Sequence, residues 1–339
     1  MFGSSQPKKQ VVLSLSDTEI AYLVVDRDEN GFFVIHHERA ELPKGIIQNA
    51  EVLRAEALTT ILKKSYQDIM EHLPKKSRCS FSLLLPHVHF THEIVGFGEE
   101  IPKKTLSRFI QKHLKENPER YPWSRTHSYT FEYSEERNEI AFEALDNEKY
   151  SSFRHVCEAA GIKEVGIVSN TKACGTLLEN YPTASMILFG DESSYLIGYR
   201  NGYCISSQRF EVSYRRCITD ITKGLRVDGN MAKKVIREYG VTRSHKDQSV
   251  YNQLMRSFTP LIDILRKRKT DKKQQLFTWH LRKPLRGMEE MFYKRVGVSV
   301  EELNPLHLDE YPFHEVLHLH KEESYQYSLL IAHAIVKMK

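Results

Sequence analysis

The sequence predicts a two-lobed α/β protein whose second lobe repeats the first, with a small α+β block inserted into the first lobe. Three observations predict it. One three-strand pattern occurs twice, as Val11–Leu15, Glu19–Val25 and Phe32–Glu38, and again as Met186–Gly190, Ser194–Arg200 and Tyr203–Phe210. Each copy is followed by apolar residues at helical spacing. Between the copies, residues 87–161 run through strands and helices in a different order.

Asn201-Gly202 joins the last two strands of the second copy, and Glu29-Asn30-Gly31 makes the matching turn in the first. Asn-Gly between two apolar runs marks a hairpin, because both residues tolerate the positive φ of a type I′ turn. Leu42-Pro43-Lys44-Gly45 is a turn. Leu53, Ala57, Leu58, Ile61, Leu62 and Ile69 then predict an amphipathic helix, ended by Pro74-Lys75-Lys76. Phe81–Leu85 is a continuous apolar run, as expected of a strand buried on both faces, and Pro86 closes it.

His87–Val95 reads as a strand, and Leu106, Phe109, Ile110 and Leu114 mark a helix. Tyr129/Phe131/Tyr133 and Ile140/Phe142/Ala144 alternate as two further strands. Tyr150, Phe153, Val156 and Ala160 form a helix stripe stopped by Gly161. In the second lobe, helices carry Ile218/Ile221/Leu225, Ala232/Val235/Ile236/Tyr239 and Leu254/Phe258/Leu261/Ile262/Leu265, before a strand at Gln275–Trp279 and a helix from Met288. The first lobe is expected over 10–86, completed by 162–184 and a final helix over 324–338; the inserted block covers 87–161, and the second lobe 185–310.

With 40% hydrophobic and 27% charged residues, the chain has the composition of an ordinary globular protein. A net charge of +5 is too small to call for nucleic acid, although an acidic partner or anionic surface is compatible with it. The five cysteines, Cys79, Cys157, Cys174, Cys204 and Cys217, are scattered without a Cys-x-x-Cys, as expected of thiols in a reducing cytoplasm. The first ten residues lack an apolar core, so no secretory signal is expected. Ser328–Val336 is too short to span a bilayer.

Several short motifs stand in a telling order. They are Met1-Phe2-Gly3, Leu42-Pro43-x-Gly45-Ile46-Ile47, Ile101-Pro102 with Tyr121-Pro122-Trp123, Ala159-Ala160-Gly161-Ile162, and Ala232-Lys233-Lys234 through Glu238-Tyr239-Gly240. In order and spacing they resemble the PilM family, actin-like cytoplasmic proteins of type IV pilus assembly that are similar to FtsA. The resemblance implies an actin-like fold, a duplicated ribonuclease H-like body. It implies a cytoplasmic protein held at the inner membrane through partners. Those partners are the N-terminal cytoplasmic peptide of a PilN-like membrane protein and other proteins of the pilus platform, with self-association allowed and no nucleic acid.

The chain departs from the actin-like pattern where phosphate should be held. Asp-x-Gly in the first turn is replaced around Ser14, Ser16 and Ala21, and in the second by Leu188, Phe189 and Gly190. The missing aspartates would position Mg²⁺, and the glycines of the pattern, of which Gly190 is kept, let backbone N–H groups approach phosphate. The adenine-side motif is replaced by Thr278-Trp279-His280 leading to Gly287, with Trp279 and His280 expected to fill the nucleotide's space. Ser14, Ser16, Gly190, Ser193 and Gly287 remain as a degenerate nucleotide site, each also readable as a plain turn residue. The expectation is a pseudo-ATPase with no catalytic residues and no cofactor, the degenerate site leaving ATP with Mg²⁺ as the open question. The alternative is a divergent ATP-binding switch in which Asp17 and Asp191 replace the lost acids.

Three other motifs compete with this reading. His314-Glu315-Val316-Leu317-His318 matches the zincin pattern, in which two histidines one helical turn apart bind zinc and the glutamate is the base, with Glu322 or Glu323 as third ligand. Pro312 just before it and a total of 16 histidines argue for coincidence, so no metal is expected there. His87, His89 and His92 could face a metal from one strand, but an exposed polar strand face is the simpler reading. Arg266–Lys273 is a basic run that suits an anionic surface or a solvated helix end.

Overall fold

Each lobe is built on its own five-stranded sheet, with one strand order common to the two. The computed structural model describes residues 9–75, 77–98, 100–242, 248–268, 275–282, 284–307 and 321–338. The chain divides into two units: one holds the described residues up to Thr176 and those from Leu329 on, the other those from Leu177 to Ser328.

In the first unit β1 (Lys9–Leu15), β2 (Glu19–Asp28) and β3 (Gly31–Glu41) form an antiparallel meander. A two-residue ladder, β4 (Ile47–Gln48) with β5 (Glu51–Val52), leads into α1 (Ala55–Glu71). Strand β6 (Cys79–Leu85) then lies parallel to β1. After β7 (Phe90–Gly96), α2 (Leu106–Glu116), β8 (His127–Ser134), β9 (Glu139–Asp146) and α3 (Asn147–Ala159), strand β10 (Val165–Ser169) adds parallel to β6. The sheet order is β10-β6-β1-β2-β3. A short helix α4 (Lys172–Leu177) follows.

The second unit repeats this. β11 (Thr183–Phe189), β12 (Ser194–Arg200) and β13 (Tyr203–Phe210) make the meander, and α5 (Tyr214–Leu225), α6 (Gly229–Tyr239) and α7 (Ser249–Arg268) follow it. Strand β14 (Gln275–His280) runs parallel to β11, and α8 (Met288–Val296) connects it to β15 (Val300–Glu302), parallel in turn to β14. The order β13-β12-β11-β14-β15 is that of the first sheet, strand for strand. A last helix, α9 (Lys321–Met338), ends the described chain.

The turn chemistry follows the sequence. Asn201 and Gly202 both take positive φ, 52° and 81°, as a type I′ turn demands. At the first hairpin the Asp28 carboxylate accepts the N–H groups of Asn30 and Gly31. In α1, Leu58, Leu62 and Ile69 are buried against Val11, Leu13, Tyr22 and Val24, each buried aliphatic stabilising by about 1.5–3 kcal/mol. Leu53, which the periodicity places on that stripe, lies before the helix and is exposed.

The inserted block has a sheet and core of its own. Its sheet is β7-β9-β8, with Phe131 opposite Phe142, over a core of Ile110, Leu114, Tyr121, Trp123 and Ile140. Helix α3 instead buries Phe153, Val156 and Cys157 in the core of the first sheet. It is the crossover that parallel strands β6 and β10 require, as α8 is for β14 and β15. A crossover helix at the end of an insertion carries the same stripe whichever sheet it covers, so the pattern alone does not say which sheet that is. Residues 177–182 group with the second unit rather than the first.

Candidate functional site

Each turn that corresponds to a phosphate loop is filled by the chain's own groups. Ser14 sits within β1, paired across to Ala21 on β2 and Leu84 on β6. In the β1–β2 turn the Ser16 N–H donates to the Glu19 carbonyl at 3.0 Å, and the Ser16 hydroxyl accepts from Thr18 N–H at 3.4 Å. The Asp17 carboxylate accepts the Asn49 N–H at 2.9 Å. That bond fixes a bend in which Asn49 and Ala50 both have positive φ, a conformation costly for alanine.

In the second unit, Gly190 is required by space, since a Cβ there would lie 2.5 Å from the Ser193 carbonyl oxygen. Asp191 forms an ion pair with Arg282, whose guanidinium also lies over the Tyr214 ring. The Ser193 hydroxyl donates to Tyr195 Oη at 3.2 Å. Gly287 has φ 77° at the start of α8, and a Cβ would overlap Thr242. On β14, Trp279 is fully buried and donates from Nε1 to Ser328 Oγ at 2.8 Å. Buried His280 has its imidazole pKa pushed down to about 4 by desolvation. The five predicted residues thus fall on two separate turns, one β-strand and one helix start, each with a structural task.

A second region collects buried polar groups where the insert joins the first sheet. His87–His89 is a 3-10 turn rather than the start of a strand, and His87 is buried rather than exposed. Pro86, at φ −56° and ψ 129°, leads into that turn, and its carbonyl accepts the His89 N–H at 3.1 Å. His87 N–H donates to Asn170 Oδ1 at 3.0 Å, and Asn170 N–H donates to the Leu85 carbonyl at 2.8 Å. Glu143 on β9 accepts the Ser169 N–H at 2.9 Å. Lys172 on α4 lies 3.7 Å from Glu143 and 2.9 Å from Glu132. Burial pulls the Lys172 ammonium downward, but the two carboxylates outweigh it and hold its pKa above the usual lysine value. The Nε2 atoms of His92 and His333 are buried here without a hydrogen-bond partner among the described residues. The sequence marked this stretch only through its histidines.

The motif His314–His318 and most of the basic run lie outside the described residues. Of that run, Arg266, in the last turn of α7, donates from Nε to the Arg295 carbonyl at 2.8 Å. No described helix is long and apolar enough to cross a membrane.

Two lobes, each a meander extended by two parallel strands, define the actin-like fold. The chain matches no protein-family model and no curated protein sequence. Among solved structures it is similar to a PilM–PilN type IV pilus biogenesis complex, at 15% identity and TM-score 0.64 over 97% of this chain and 98% of that one. It is similar to MreB5 of Spiroplasma citri bound to AMPPNP, at 10% identity and TM-score 0.54, covering 97% and 96%. It is also similar to the ethanolamine utilization protein EutJ from Carboxydothermus hydrogenoformans, at 12% identity and TM-score 0.51, covering 97% and 90%. At these identities the likeness establishes the fold.

Proposed function

We propose that this chain is a non-catalytic, PilM-like scaffold at the cytoplasmic face of a type IV pilus or related secretion platform, where it binds the N-terminal cytoplasmic peptide of a PilN-like membrane protein. The observation that carries the proposal is the end-to-end likeness to the PilM–PilN complex, in which neither chain leaves a domain unmatched. The motif order in the sequence points the same way. Peptide capture suits a rigid body with an added subdomain, since backbone hydrogen bonds and a few pockets supply the affinity.

The expected result is binding of the N-terminal peptide of a PilN-like protein from the same genome, with low-micromolar affinity, about −8 kcal/mol, without nucleotide. Amides of Leu83–His92, at the edge between insert and first sheet, should be protected from hydrogen exchange on binding. Calorimetry and exchange on the folded chain test this. Absence of binding at a large excess of peptide would leave the fold without this function.

A switch that still binds ATP is the second reading, favoured by the likeness to MreB5 bound to AMPPNP. Asp17 and Asp191 are engaged with Asn49 and Arg282, which argues against their holding Mg²⁺ waters. Purified protein is expected to show no saturable ATP hydrolysis. Turnover that disappears in Asp17→Ala or Asp191→Ala would replace the scaffold reading with the switch.

A further inference from the structure

Two acids and two histidines converge on one face of the first sheet, away from everything used above. Antiparallel register sets Tyr22 opposite Glu38 and Val24 opposite His36, so Tyr22, His36 and Glu38 share the face covered by α1. From the last turn of that helix Asp68 reaches down to them, and His72, four residues on, follows from the same side. His36 Nε2 lies 2.7 Å from Asp68 Oδ2, and His72 Nδ1 lies 3.6 Å from Asp68 Oδ1. The two imidazoles stack with centroids 3.7 Å apart.

The cluster holds more acceptors than protons. Tyr22 Oη is within hydrogen-bonding reach of Asp68, of Glu38 at 2.9 Å and of His36 Nε2 at 3.1 Å, yet it has one proton to give. Burial tends to raise the Asp68 carboxyl, but hydrogen bonds from Tyr22 and His36 hold it below its ordinary value, so it is an anion. The site also sits at the C-terminal end of α1, where the helix carbonyls present partial negative charge and the last turn carries no basic residue. No lysine or arginine pairs with Asp68 or Glu38 among the described residues. Two carboxylates and a helix C-terminus with no fixed cation call for one from solution.

We propose that His36, Asp68 and His72 bind a divalent first-row transition metal of the zinc class, with water completing the shell. One donor atom from each of the three lies within 4.8 Å of the others. Zinc bonds of about 2.0–2.1 Å place tetrahedral donors about 3.3 Å apart, near the observed 2.7 and 3.6 Å, and binding requires the half-exposed His72 ring to turn out of its stack on His36 so that both nitrogens aim at one ion. The Nδ1–H of His72 donates to the Asp68 carbonyl at 2.9 Å, and the metal takes the place of that proton. Imidazole with carboxylate favours zinc, cobalt or nickel over magnesium or calcium. The metal would tie the end of α1 to β3, a structural role independent of peptide binding.

The test uses the full chain stripped with chelator and titrated with zinc against a metallochromic competitor, with cobalt(II) absorption as an independent report of tetrahedral nitrogen–oxygen ligation. The expected result is one equivalent of tightly bound zinc and a raised melting temperature. His36→Ala and His72→Ala should each weaken binding by at least about tenfold. His72 is half-exposed at the helix end, so that variant should fold as the parent does. His318→Ala, in the zincin-like motif, should bind zinc as tightly as the parent. The proposal is overturned if the folded chain takes up no zinc, if the His36→Ala/His72→Ala double variant retains it, or if it is His318→Ala that loses it.

Discussion

Lowering the pH from 7 to 5 is expected to destabilise the first unit by about 4 kcal/mol and the second by about half as much. The cause is a set of histidines buried without charge. Burial, with smaller contributions from His92 and His89, pushes the His87 imidazole down to about 4, and burial with Lys337 and Lys172 nearby pushes His333 down to about 3. Both belong to the first unit, whereas His280, at about 4, belongs to the second. Each has a folded pKa below its unfolded one, so between pH 6.5 and about 4 the unfolded chain binds the extra protons. Stability is therefore fully present above pH 6.5 and falls as pH drops toward the folded pKa. The slope is about 1.4 kcal/mol per pH unit for each group, or about 2 kcal/mol each by pH 5. His92, also lowered by burial, adds in the same direction. Because a domain's total stability is about 5–15 kcal/mol, this is a large share. Urea unfolding at pH 7 and pH 5, followed by hydrogen exchange in each unit, measures it. A His280→Asn variant should lose the second unit's acid sensitivity. Equal midpoints at the two pH values would show that these imidazoles take up protons without unfolding.

The duplicated sheet was legible because its signals are local. Alternating and continuous apolar runs fix which residues are strand, and Asn201-Gly202 fixes a hairpin through two φ angles. The strands of the insert were legible for the same reason: Tyr129, Phe131 and Tyr133 lie on the face that Ile140, Phe142 and Ala144 meet across the ladder. What escaped depends on partners far away in the chain. Asp17 looked available for Mg²⁺ until Asn49 was found on it, 32 residues on, and Asp191 until Arg282 was, 91 residues on. The stripe on α3 announces a buried face without saying which sheet it meets. The cluster of His36, Asp68 and His72 left only faint traces, an Asp and a His four apart near a helix end and a His and a Glu two apart on a strand. Neither spacing points to the other until β3 is laid beneath α1.

Replacing Lys172 by Met is expected to cost the first unit about 3 kcal/mol and to loosen the inserted block. Lys172 carries the cation for two carboxylates, and one of them, Glu143, has a side chain only 9% exposed. Removing one member of a buried pair strands the other charge, which costs about 3–5 kcal/mol, and the partial exposure of Lys172 argues for the lower end. Among the described residues, Glu143 would keep only the Ser169 N–H as a hydrogen-bond donor. Adding Glu143→Gln to Lys172→Met removes the stranded charge, so the double variant should be more stable than Lys172→Met alone, by about 1–2 kcal/mol. The contribution of Lys172 should be flat across neutral pH. Its pKa is raised in the folded state, so the ion pair is fully present below the ordinary lysine value and is lost only as pH rises through the folded one. That separates it from the histidines, whose effect lies on the acid side. The residues on either side of this pair, β9 in the insert and α4 beside the first sheet, are those that hold Leu83–His92 in place through Ser169 and Asn170. Faster exchange of Leu83–His92 amides in Lys172→Met, restored in the double variant, is the expected signature of a junction locked by charge. Strict additivity of the two substitutions would mean that Lys172 acts through Glu132 on the surface and leaves the junction to packing alone.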